Sequence, residues 1–205
     1  MKFNLEVSNE LRQACPNYRG AAVYATVRNT LHSEGLWQEI DAFTRELQAT
    51  ETVDSIKQQT AIVATRDAYR ACGKDPSRYR PSAEALRRRL LRGLDLYQID
   101  TLVDLINLVS LRTGYSIGGF DADKIQGTNL CLGIGKADEE FEGIGRGIGT
   151  PTSDHERTKM GIETTHILAL INGYSGEKGL QEAAEMTLDL LKKYADATEG
   201  EIVLY

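Results

Sequence analysis

The sequence predicts an α+β fold: one compact domain, residues 1–205, with helices packed on a mixed or antiparallel sheet. Three observations predict it. Strand-like stretches sit near both ends, helical periodicity dominates residues 36–112, and short β-like runs broken by glycine follow Tyr115. Helices and strands are thus partly segregated, which favours α+β over a doubly wound parallel sheet.

Each element has a local cause. Phe3, Leu5 and Val7 alternate as a strand, Ser8 caps a short helix that ends before Pro16, and Ala21 to Arg28 reads as a second strand. Leu36, Ile40, Phe43 and Leu47 recur at helical spacing, and a less regular helix is expected from about Asp54 to Ala71, closed by Gly73. After a loop with Pro76 and Pro81, Ser82 is the expected N-cap of a helix through Leu86 and Leu90 that stops at Gly93. Asp100 caps the next helix, which runs to Arg112 before Gly114. Thr164 to Ile171 reads as a buried strand, Leu180 to Tyr194 as an amphipathic helix, and Ile202 to Tyr205 as a last strand.

The composition, 41% hydrophobic and 26% charged over 205 residues, is that of an ordinary globular chain. A chain of this length buries roughly 70% of its unfolded surface and needs no staple of disulfide or metal. Cys15, Cys72 and Cys131 are odd in number and lack any C-x-x-C spacing, so they are expected as small core residues in a reducing compartment. Met1 to Glu10 carries no long apolar stretch, and no segment has the length of a membrane span, so a cytoplasmic protein without a membrane partner is expected.

Net charge is -6, with a pI near 5.2, which argues against nonspecific coating of nucleic acid and gives no reason to expect DNA as a partner. The distribution is uneven: Arg66 to Arg92 carries an excess of six positive charges and leaves the remainder at -12. Two readings fit. The stretch forms a positive surface that meets phosphates, or it is a solvated helix pair whose arginines answer acids elsewhere.

Spacing excludes several chemistries. Gly143, Gly145, Gly147 and Gly149 alternate strictly and miss the G-x-G-x-x-G register, and Gly135-Lys136 lacks the rest of a P-loop. His32, His155 and His166 show no i,i+3 or i,i+4 metal pairing, and Asp121-Ala122-Asp123-Lys124 lacks the third acid and glycine of a calcium loop. No metal or cofactor is expected, there is no G-x-S-x-G elbow, and no residue is identified as a nucleophile.

The informative stretch is Arg78 to Phe141. On the helix after Asp100, apolar residues cover most of the circumference, yet Asp104 and Asn107 interrupt it on one face. Buried polar groups there either brace neighbouring backbone or face a polar cavity. Ser82 to Leu90, then Ile99-x-x-x-Val103-Asp104-x-x-Asn107-x-x-x-Leu111-x-x-Gly114, then Phe120-Asp121-x-Asp123-Lys124-Ile125-x-Gly127 resemble the B3/B4 domain, the editing module of the phenylalanyl-tRNA synthetase β subunit. Gly127 to Phe141 resembles that family's strand-turn-strand, with Asp138-Glu139 at the turn. Arg80-Pro81-Ser82-Ala83-Glu84 and the pair Gly118-Gly119 resemble its free-standing members.

The resemblance implies a module that takes the 3′ end of mischarged tRNA and hydrolyses its ester, the second sieve of a double-sieve editor. It implies tRNA or aminoacyl-tRNA as the partner. It also implies a substrate pocket shaped by Arg80, Ser82, Glu84, Asp104, Asn107, Gly118, Gly119, Asp121 and Lys124. Arg78, Arg87, Arg88, Arg89 and Arg92 then offer the basic surface for the acceptor stem. Departures are local: Ile106 and Gly118 stand where the synthetase has the Thr and His of its pocket, and Gly133 where an arginine is usual. The leading expectation is deacylation in trans; its competitor is a noncatalytic module that binds tRNA or an amino acid, or an adaptor to a larger complex. A hydrolase needs a polar group near Gly118-Gly119, for which Arg80, Glu84, His155 and Glu163 are available. Aminoacylation is not expected, because the sequence shows no aminoacylation domain.

Overall fold

The computed structural model describes residues 2–135 and 157–205. Within them lie β1 (Asn4–Val7), α1 (Asn9–Ala14), β2 (Arg19–Thr26), α2 (Glu34–Thr50), α3 (Thr60–Ala71), α4 (Ser82–Leu91), α5 (Thr101–Thr113), β3 (Ile117–Asp121), β4 (Asn129–Leu132), β5 (His166–Gly173), α6 (Leu180–Tyr194) and β6 (Thr198–Leu204). The mixture is α+β. Four strands form an antiparallel sheet in the order β3-β5-β2-β6, while β1 and β4 pair in parallel as a separate ribbon.

Burial explains the strand sequences. Ala21 to Ala25 are all buried because both sheet faces are covered. Ala21, Val23, Ile117, Ala169 and Ile171 pack in one core with Leu105, Leu108, Ala184 and Leu191 of α5 and α6. On the reverse face Ala22, Tyr24, Phe120 and Leu168 meet Phe3 and Ile125, with Leu5 and Leu130 of the ribbon against them. The ribbon has an outer side, and Cys131 is exposed on it; of the three cysteines only Cys15 is a buried core residue.

Most helix ends follow their capping chemistry. Ser8 accepts from Leu11 N, Asp100 accepts from Val103 N at 2.9 Å, and Gly114 takes φ +78° to end α5. Two boundaries differ from expectation. The helix expected from Asp54 is a 3-10 turn, Ser55–Gln58, and then α3, separated by the extended backbone of Gln59. Ile56 and Ile62 share one buried cluster with Ala83 of α4; on one unbroken helix they would point about 120° apart, and the break brings both to it. Ser82 is the first helical residue rather than the cap, because Pro81 occupies the cap position. The N–H of Ala83 donates instead to Ser116 Oγ at 3.4 Å, a cap supplied from beyond α5.

The glycines at 143, 145, 147 and 149, the Asp138-Glu139 turn and His155 lie outside the described residues. Among the described residues no helix is long and apolar enough to cross a membrane, and no group of three His, Cys, Asp or Glu side chains forms a metal site.

Candidate functional site

β3 delivers its chemistry at its end. Asp121 is buried, and its Oδ1 accepts from Asp123 N at 3.1 Å, folding Ala122–Lys124 into a 3-10 turn. The segment 158–166 lies across this turn. Thr158 O accepts from Asp121 N at 3.0 Å, and Lys159 bridges Phe120. Each residue from Glu163 to His166 then reaches the turn. Glu163 Oε1 lies 2.6 Å from Lys124 Nζ, and Thr164 Oγ1 donates to Asp121 Oδ2 at 2.9 Å. Thr165 Oγ1 approaches Asp123 Oδ2 at 3.4 Å, and His166 Nδ1 lies 2.7 Å from the same oxygen.

Lys124 also sits 3.3 Å from Asp121 Oδ2 and donates to Lys159 O at 3.2 Å. The Glu163 carboxylate raises the Lys124 pKa, with Asp121 adding to it, and Lys124 in turn lowers that of Glu163. Lys124 is one-third exposed, while Glu163, Asp123 and His166 are more open. The cluster is therefore a fixed, charged patch at the surface. Asn29 anchors it from below: its Nδ2 donates to Gly161 O at 2.9 Å while its Oδ1 accepts from Leu102 N at 3.2 Å, tying the segment to the start of α5.

The expected pocket residues divide among three places. Asp121 and Lys124 belong to this patch. Asp104, on α5, is spent on bracing: Oδ2 accepts from Trp37 Nε1 at 2.8 Å and Oδ1 from Ile99 N at 3.1 Å. Burial raises its pKa, and those two bonds oppose the rise. Asn107, half-buried one turn on, makes no side-chain hydrogen bond among the described residues. Gly118 and Gly119 lie within β3, fully covered. A Cβ on Gly119 would stand 2.5 Å from Met160 Cε and 2.6 Å from Ile106 Cδ1, so those side chains occupy the space beside it.

Arg80, Ser82 and Glu84 form the third place, at the start of α4. Glu84 is buried; Arg66 Nη1 reaches Oε2 at 2.8 Å, Arg88 Nε reaches Oε1 at 2.7 Å, and Arg80 Nε stands 3.7 Å away. Ser82 is half-buried beside them.

The expected basic surface is divided as well, because consecutive residues on a helix point about 100° apart. Arg87 is turned inward, bridging both oxygens of Glu51 at 2.8 Å and donating to Leu111 O, so it belongs to the core and not to the surface. Arg88 is committed to Glu84 by one edge. Arg89 lies over the Tyr97 ring at 4.0 Å, Arg78 is exposed near Tyr79, and Arg92 is exposed.

Of the described polar groups available to a hydrolase, Glu163 is the one brought to the Asp121–Lys124 turn; Arg80, just before α4, faces Glu84 on it. His166 and Asp123 had no sequence signal as a pair, being 43 residues apart, although Asp123 lies inside the Phe-Asp-x-Asp-Lys motif.

The description of known families fits this arrangement. The B3/4 domain model matches residues 64–177, more than half of the chain, and spans α4, α5, β3, β4 and the whole patch. No curated protein matches the chain by sequence. The Asp-x-Asp-Lys turn, the α5 motif and the segment that crosses them all lie inside the matched residues, and the chain belongs to the B3/4 domain family, that of the phenylalanyl-tRNA synthetase β subunit.

Proposed function

We propose that this protein is a cytoplasmic aminoacyl-tRNA deacylase that acts in trans, with residues 1–205 working as one unit. The supporting observation is the Asp123–His166 pair, 2.7 Å apart, beside the Lys124–Glu163 pair. With Nδ1 protonated toward Asp123, His166 keeps Nε2 as a proton acceptor for water. Water gives a proton to His166 Nε2 as its oxygen adds to the ester carbonyl, the C–O bond to the terminal ribose breaks, and the departing ribose oxygen takes that proton to become a hydroxyl. Free amino acid and uncharged tRNA result. Lys124, held by two carboxylates, supplies positive charge next to the developing oxyanion.

Arg78 and Arg92 are exposed to meet acceptor-stem phosphates, and Arg89, half-buried on Tyr97 with its Nε given to Asp95 O, offers them its remaining donor edge. Asp104 and Arg87 serve the fold that presents these groups rather than the ligand. RNA, not DNA, is the partner in this reading.

A second reading has its own support. Ile106 and Gly118 stand where the synthetase's pocket has Thr and His, and Ile106 with Met160 fills the space beside Gly119, which suits a noncatalytic module that binds tRNA or an amino acid. Incubation of the protein with tRNA carrying each of the twenty amino acids separates the two: ester loss faster than in buffer supports the deacylase, and binding without ester loss supports the module.

A further inference from the structure

A cavity of about 270 Å³ opens between the Ser55–Gln58 turn, α3 and α4. None of the patch residues lines it. Ile56, Ile62 and Val63 form apolar wall, and Arg66 and Arg88 stand with Glu84 at the polar side. Glu84, 1% exposed, carries one negative charge among three guanidinium groups. Among the described residues the knot therefore keeps two uncompensated positive charges. Lys57 and Arg70 add to them at the rim; their own acids, Asp54 and Asp67, are 90% and 62% exposed, so solvent screens that compensation.

The carboxylate also fixes geometry. Arg88 gives Glu84 only its Nε, and Arg66 gives it only Nη1. Both Nη groups of Arg88 and the Nη2 of Arg66 have no hydrogen-bond partner among the described residues. Two guanidinium planes are thus held in place by one edge each, with donor edges left over beside an apolar wall. That is the pattern that recognises a planar or tetrahedral oxyanion attached to a hydrocarbon body.

We infer that this cavity binds a small organic oxyanion, a carboxylate or phosphate monoester on a short branched aliphatic body. The anion sits on Arg66 and Arg88 and the body on Ile56, Ile62 and Val63. The site is independent of tRNA and of the patch, so it stands whether or not the protein hydrolyses esters.

Calorimetric titration of the full chain with 3-methylbutanoate, isobutyl phosphate and the neutral 3-methylbutanamide tests it. At least one of the two anions should saturate the protein, with the amide at least tenfold weaker; which anion binds tighter distinguishes carboxylate from phosphate. Arg88→Leu removes the donor edge and Val63→Phe fills the cavity while leaving every charge in place, and each should weaken the anion at least tenfold. Failure of both anions to saturate by about 10 mM, a generous limit for ligands of this size, overturns the inference. So does equal binding of anion and amide, or unchanged affinity in folded Val63→Phe, which decides the matter even if Arg88→Leu does not fold.

Discussion

His166 Nδ1 stands 2.7 Å from Asp123 Oδ2, joining the first residue of β5 to the turn that ends β3. Both side chains are about half exposed, so the pair contributes little to stability and is open to solvent and ligand. His166→Asn should leave the unfolding midpoint nearly unchanged and lower kcat for ester hydrolysis by about 10²- to 10⁴-fold. Asp123→Asn should fall in between, because the imidazole remains but loses its orienting partner. Single-turnover kinetics on charged tRNA measure both, and a variant with wild-type kcat would return His166 to an ordinary surface role.

Arg78, Arg89 and Arg92 are the arginines expected to meet phosphate. Changing all three to Glu should weaken tRNA binding at least tenfold and reduce the slope of log affinity against log salt by about three. Arg87 does not belong in that set: its guanidinium is buried against Glu51 and Leu111 O. Arg87→Ala should instead unfold the protein earlier, by about 3 kcal/mol, leaving Glu51 without its partner. Filter binding across a salt series and denaturant titration distinguish the two roles.

Gly119 is where α5 and the 158–166 segment close on the sheet. Gly119→Ala places a methyl 2.5 Å from Met160 Cε and 2.6 Å from Ile106 Cδ1, so it should cost about 1 to 3 kcal/mol in denaturant unfolding. An unchanged midpoint would mean the contact yields freely and the space beside Gly119 is open to a ligand.

Glu39 gives the fold a pH dependence. Burial works against its ionisation, yet Lys193, Tyr194 and Arg112 all donate to it and hold its pKa down to about 2, from the usual 4.5. A depressed carboxylate stabilises the folded state above its ordinary pKa and loses that contribution as pH falls. The stability difference between wild type and Glu39→Gln should therefore be on the order of 1 to 3 kcal/mol near neutrality. It should shrink as pH falls from about 4.5 to about 2. A difference constant across that window would show that the carboxylate's charge plays no part.

The fold was legible wherever the chain carries its own signal. Ser8, Asp100 and Gly114 cap their helices by local chemistry, and Leu180–Tyr194 follows from periodicity alone. Ser82 is not the cap because Pro81 takes that position and the Ala83 N–H is met by Ser116, 33 residues further on, while the break at Gln59 brings Ile56 and Ile62 into one cluster with Ala83 of α4. Polar residues were harder. Asp104 has the same sequence signature as brace or ligand, and Trp37, 67 residues earlier, decides it. Arg87, Arg88 and Arg89 read alike in sequence but are sorted by partners on Glu51, Glu84 and Tyr97. The cluster was half legible: its turn lies in the Phe-Asp-x-Asp-Lys motif, whereas Glu163 and His166 lie 39 and 43 residues along the chain from the partners they meet.

The most direct measurement is the first-order rate of amino-acid release from each of the twenty aminoacyl-tRNAs with protein in excess, for wild type and His166→Asn side by side. Deacylation in trans predicts that at least one mischarged or charged tRNA loses its ester well above the buffer rate with wild type and near it with the variant. Release at the buffer rate on every charged tRNA would contradict it.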